Sequence, residues 1–167
     1  MKKLIFLIIP IVFNLLSCKK DDGGVGKNVE IYLLKNYQVM PGKCQVNPLS
    51  SVLQDTATVK NQDILQYSKT DYQFKLSDIA IQKVKTFKDK TPFAVTVDKQ
   101  VVYYGFFKPN FSSSSCDNSI TMDITTATEN KISVNLGYPG PLQGVTIDDQ
   151  RNNPNLIRAL KNQGKLN

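Results

Sequence analysis

From Tyr72 to Phe107 strand, helix and hairpin signals follow one another without a gap, so any fold of this chain must accommodate that succession. Tyr72, Phe74 and Leu76 alternate with Gln73 and Lys75, the period-two pattern of a strand with one buried face. Ser77 stands where a helix N-cap belongs. Asp78 suits the positive end of the helix dipole, and Ala80, Val84 and Phe87 recur at i, i+4 and i+7 as one apolar stripe. Lys83, Lys85 and Lys88 fall on the other faces and the last turn. Pro92 cannot continue a helix. Phe93, Val95 and Val97 start a strand that returns through Val101, Tyr103 and Phe107. The stretch 72–107 therefore predicts a β-α-β-β core that folds as one unit.

The flanking signals add strands and one helix. Val29, Ile31 and Leu33 predict a strand over Val29–Lys35, and apolar residues on both of its faces make it central. Residues 36–61, with breakers at Pro41-Gly42 and Pro48, read as a long loop in which Leu49 to Leu53 form one helical turn. Ile64 and Leu65 lead into the core as a short strand. Ile120, Met122 and Ile124 answer Ile132, Val134 and Leu136 across Thr126–Asn130, which predicts a second hairpin. Tyr138-Pro139-Gly140-Pro141 ends the sheet. Asn153-Pro154 opens a C-terminal helix buried through Leu156, Ile157 and Leu160 and stopped at Gly164, with Arg158 and Lys161 near its negative end. A chain of 167 residues with 41% hydrophobic content supports one core. The expected fold class is α+β: a single domain over 28–167, with a mostly antiparallel sheet.

The first 17 residues stand apart from that domain. Met1-Lys2-Lys3 and the apolar run Leu4–Leu16 form a secretion signal too short for a comfortable membrane span of about 20 residues. Leu15-Leu16-Ser17-Cys18 resembles the lipobox of bacterial lipoproteins, which implies acylation of Cys18 and anchoring in a lipid bilayer without a spanning helix. Residues 18–27 are charged and glycine-rich and form a flexible tether. Within it, Lys20, Asp21 and Asp22 resemble the signal that exports some lipoproteins to the outer face of the outer membrane, with the periplasmic face as the alternative.

With Cys18 acylated, Cys44 and Cys116 remain, both in loops of a chain sent to an oxidising compartment. A disulfide between them is expected, closing a loop of about 70 residues and contributing on the order of 4 kcal/mol, and it would hold both loops at one sheet edge. The sequence contains no histidine and no Cys-x-x-Cys spacing, so neither a metal site nor a cofactor is expected. Asp148-Asp149 with Asn152-Asn153 lacks the alternation and glycine of a calcium loop. No P-loop or dinucleotide fingerprint is present. Of 21 basic residues, 19 remain once Lys2 and Lys3 are removed, against 14 acidic; the surplus is dispersed, which argues against nucleic acid and suits anionic envelope polysaccharide or another envelope protein.

Phe74-Lys75-Leu76-Ser77 and Pro92-Phe93-Ala94-Val95-Thr96-Val97-Asp98 resemble the head of the large periplasmic domain of the SecD/SecDF export proteins, over about a fifth of the chain. The resemblance implies a similar α+β topology. Lys99 stands where that family places a glycine, and nothing in the resemblance carries export activity. Two function classes remain. One is a non-enzymatic binding or structural lipoprotein; the other is a hydrolase with a Ser/Lys or carboxylate site, for which Ser112 to Ser115, Asp148 and Asp149 are the candidates.

Overall fold

The computed structural model describes residues 27–125 and 127–167. The expectations for 1–17, Cys18, Lys20, Asp21 and Asp22 lie outside those residues, as does Thr126 of the second hairpin. Among the described residues eight strands make one sheet: β1 Val29–Asn36, β2 Val52–Leu53, β3 Ile64–Ser68, β4 Gln73–Leu76, β5 Thr91–Val97, β6 Gln100–Lys108, β7 Ile120–Asp123 and β8 Lys131–Leu136. The described residues also form two α-helices, α1 Asp78–Val84 between β4 and β5 and α2 Pro154–Asn162 after β8. The strand order is β2-β1-β5-β6-β7-β8-β4-β3, and every neighbouring pair is antiparallel except β6 with β7. The fold is a mixed, mostly antiparallel α+β sheet.

The β-α-β-β succession is present in the chain, but its first strand does not adjoin its hairpin. β4 pairs with β3 and β8, while β5 pairs with β1 and β6, so three strands stand between them. A period-two pattern says that a strand buries one face; it does not say which strand lies alongside. Phe74 finds its cross-strand partners in Tyr67 and Ile132, with the Tyr67 and Phe74 rings 4.5 Å apart. The link through α1 then carries the chain from one half of the sheet to the other. Ser77 Oγ accepts from the Ala80 N–H at 3.3 Å and donates to Asp63 at 2.8 Å, which fixes the start of α1. The helix ends at Val84, a turn before Phe87, so Phe87 packs on Phe107 from the following turn with ring centroids 5.0 Å apart.

Both ends of α2 follow the expected chemistry. Asn153 accepts from the Asn155 N–H at 2.9 Å, and Gly164, at φ +68°, lets the Gly164 and Lys165 N–H groups reach the Lys161 and Leu160 carbonyls at 3.0 and 2.9 Å. Ala159, rather than Ile157, joins Leu156 and Leu160 in the core. Beyond the helix Leu166 lies beside Tyr67, and the Asn167 N–H donates to the Tyr67 carbonyl at 2.8 Å, which covers the β3 edge. At the other edge β1 is second from the end, not central. Residues 36–61 supply its outer partners through β2 and a bridge from Val59 to Ile31, and the turn expected at Leu49–Leu53 is a 3-10 turn at Pro48–Ser50 followed by β2.

Both sheet faces are covered. Ala80, Ile81 and Val84 of α1 and Leu156, Ala159 and Leu160 of α2 share one large apolar cluster with Phe93, Tyr103 and Phe107. Phe106, Ala94, Leu34, Val46 and Cys116 form a smaller one on the opposite face. Phe93 crosses β6 at Gly105, where an added Cβ would come within 2.5 Å of both the Phe93 ring and the Ile120 carbonyl oxygen. Between Val95 and Thr96 the register slips, leaving Val102 as the extra residue of a bulge in β6. Cys44 and Cys116 are joined, Cα to Cα 5.0 Å. The bond ties the loop after β1 to the β6–β7 crossover over the middle of the second face, not at a sheet edge, because Cys116 is buried there against the strands.

Candidate functional site

The two ends of β6 each carry a polar site. At its C-terminal end Lys108 is fully buried, since alternation from Tyr104 and Phe106 turns it onto the second face under the crossover. Its ammonium lies 2.7 Å from Asp89 Oδ1, 2.7 Å from the Ser114 carbonyl, 2.9 Å from Ser112 Oγ and 3.0 Å from Ser114 Oγ, with the Tyr138 ring centroid at 4.7 Å. Ser114 Oγ in turn donates to Asp89 Oδ2 at 2.7 Å. Burial alone would raise the Asp89 carboxyl, but hydrogen bonds from Lys108, Ser114 and Ser112 outweigh it and hold the group below its ordinary value. Three ammonium protons thus meet four oxygens. A serine nucleophile needs a base with a free lone pair, whereas this nitrogen already faces the Asp89 carboxylate and three further oxygens. Ser113 and Ser115 point to solvent. The serine run therefore stitches the crossover to the sheet, helped by the Tyr138 hydroxyl, which donates to the Asn110 and Ser112 carbonyls at 2.8 and 3.1 Å.

The candidate carboxylates lie elsewhere. Asp148 lines a groove at the N-terminal end of β6, about 13 Å from Lys108 by strand rise, and accepts from Gln150 at 2.8 and 2.9 Å. Asp149 pairs with Arg151 through both oxygens, each at 2.8 Å, and those hydrogen bonds hold its carboxyl below the ordinary value. Arg151 stacks on Tyr72 at 3.6 Å and donates to the Val134 carbonyl at 3.2 Å, so this pair pins the 142–153 segment to the sheet. The structure does not bring Ser112–Ser115 together with Asp148 or Asp149.

The groove itself has a volume of about 460 Å³. Its walls come from three separate pieces of chain: Lys43 to Pro48, Asn118 to Ile120, and Thr146 to Gln150, around Val101 to Tyr104 of β6. Among the described residues, no side-chain hydrogen bond involves Lys43, Gln45, Tyr104, Asn118 or Thr146. Tyr103 packs beneath, 5% exposed, and its hydroxyl is buried with no hydrogen-bond partner among the described residues. Burial pushes that phenol well above its ordinary value, so it is a neutral donor. Sequence reasoning missed the groove because its residues are distant in the chain. The one local signal is Val101-Val102-Tyr103-Tyr104, where the strand alternation breaks at the bulge.

Among the described residues no cluster of three or more histidine, cysteine or acidic side chains could hold a metal ion, and no helix is long and apolar enough to cross a membrane. Comparison with known proteins returned no matching family model, no similar curated protein and no similar solved structure.

Proposed function

We propose that the chain is a lipid-anchored, non-enzymatic binding module of the bacterial cell envelope and that the groove at the start of β6 is its ligand site. One observation carries the reading: among the described residues Lys43, Gln45, Tyr104, Asn118 and Thr146 of the groove make no side-chain hydrogen bond, while the side chains of the Ser112–Ser114–Lys108–Asp89 cluster are all committed to one another. The anchor rests on Leu15-Leu16-Ser17-Cys18. Acyl chains bring about 0.8 kcal/mol per buried methylene, enough for stable tethering when more than one is attached. Lys20, Asp21 and Asp22 support display on the outer membrane surface.

The test is a titration of the full-length protein in detergent with envelope oligosaccharides and blocked peptides, read by NMR at the amides of Tyr104, Asn118 and Gln150. Saturable shifts at these positions are expected. Turnover of ester or peptide substrates that is lost in Ser114→Ala would replace the binding reading with a hydrolase. Cys18→Ser should move the protein out of the membrane fraction, and a variant that still sediments after a salt wash removes the anchor.

A further inference from the structure

The edge of β6 narrows the ligand class. β6 is paired with β5 from Gln100 to Phe107, but with β7 only from Gly105 to Lys108. From Gln100 to Tyr104 no strand among the described residues lies on the β7 side. The orientation of the backbone follows from two hydrogen bonds. The Phe107 carbonyl accepts from the Lys90 N–H at 3.0 Å on the β5 side, and the Lys108 carbonyl accepts from the Ile124 N–H at 3.3 Å on the β7 side. Alternation then turns the Tyr104 backbone toward β7, beyond the point where β7 begins. The groove lies there, walled by Asn118, Ser119 and Ile120 where the chain enters β7.

We infer that a partner polypeptide binds by adding an extended segment as a strand along the free edge of β6 at Gln100–Tyr104, in the groove between Asn118 and Thr146. This rests on reading the groove as a ligand site. Five residues of edge span about 16 Å, room for a segment of four or five residues. The walls fit alternate side chains: Val102 and Ile147 belong to the helix-side apolar layer, while Val46 and Tyr104 belong to the opposite one, so an added strand meets apolar surface on both of its faces. The charged lining is one Lys43 and one Asp148, which sets no demand for net charge and does not match an anionic polysaccharide. A sugar chain also lacks the regular alternation of N–H and C=O that a strand edge presents.

The test selects end-blocked random hexapeptides on the full chain in detergent, then resynthesises a selected sequence N-methylated at odd or at even residues. One methylated form should lose about tenfold or more in affinity and the other little, because only alternate N–H groups of an added strand face the edge. Val102→Lys and Ile147→Glu should each weaken the parent peptide by about tenfold, measured on each variant well below its own unfolding midpoint. Equal losses from both methylated forms, or binding indifferent to both substitutions, overturns strand addition. Groove shifts with oligosaccharides and none with peptides overturns it too, yet leaves the binding module standing. No groove ligand of either kind removes both readings. A dimer by sedimentation that Val102→Lys dissociates makes a second copy the occupant and overturns the choice of a partner chain.

Discussion

The two ends of β6 are made from the same strand and solve opposite problems. At Lys108 the crossover is closed down on the sheet by an ion pair, two serine hydroxyls and, a few residues on, the Cys44–Cys116 bond. At Val101–Tyr104 the same strand loses its β7 partner and faces a groove in which, among the described residues, Lys43, Gln45, Tyr104, Asn118 and Thr146 make no side-chain hydrogen bond. The sealed end holds the chemically suggestive groups and engages them with one another. The open end holds ordinary amides and tyrosines, of which Gln45, Asn118 and Tyr104 make no side-chain hydrogen bond among the described residues. Residue type is therefore a poorer guide to function here than whether each polar group already has a partner.

The contrast breaks most readily at the sealed end. Asp89→Ala leaves an ammonium that is 1% exposed without its carboxylate, which should cost about 3 kcal/mol by urea unfolding at neutral pH. A loss under about 1 kcal/mol would mean that Lys108 reaches solvent and the cluster is not sealed. Replacing Cys44 and Cys116 together by serine should cost about 2–4 kcal/mol, and non-reducing peptide mapping of the wild type should recover the cross-linked pair.

Acid sharpens the comparison next. Asp89 and Asp149 titrate lower in the folded chain than in the unfolded one, so as pH falls the unfolded state takes up protons first. Their contribution is complete above the unfolded value near about 4 and is lost as pH drops through the folded values. Urea midpoints between neutral pH and about pH 3 should fall more steeply for the wild type than for Asp89→Asn, and parallel profiles would remove Asp89 from the account.

At the open end the expected effects on stability are small. Tyr103→Phe removes a buried hydroxyl that has no partner and should be neutral or stabilising by up to about 1 kcal/mol; clear destabilisation would reveal a partner for that group. Gln45→Ala and Asn118→Ala should shift stability by no more than about 0.5 kcal/mol while weakening whatever ligand the NMR titration identifies. Variants that unfold the domain instead would make the groove a structural feature like the Lys108 cluster.

Much of the local structure was legible. Ser77 and Asn153 cap the helices they were expected to cap, Gly164 stops α2, and the alternations at Phe93–Val97 and Ile132–Leu136 are strands. The disulfide followed from counting cysteines. What failed did so where identical local signals admit several neighbours: β4 beside β8 rather than β5, β1 near an edge, and the breaker-rich 36–61 region supplying β2. For the site, the serine run was visible but its commitment to Lys108 was not, since a buried lysine at the end of a strand reads as an ordinary solvent-facing one.

By itself the sequence determined where strands and helices start and stop, because caps, breakers and hydrophobic periods act over a few residues and need no distant partner. It also determined the thiol pair and the absence of histidine chemistry. The tertiary structure alone decided the strand order, the parallel β6–β7 pair, and the place where that pairing stops. Those depend on which surfaces meet once the two faces of the sheet are covered, and hydrophobic burial has no direction that a linear pattern could record. The groove exists because β7 begins five residues later along the sheet than β6 does, and that offset is a property of two strands together.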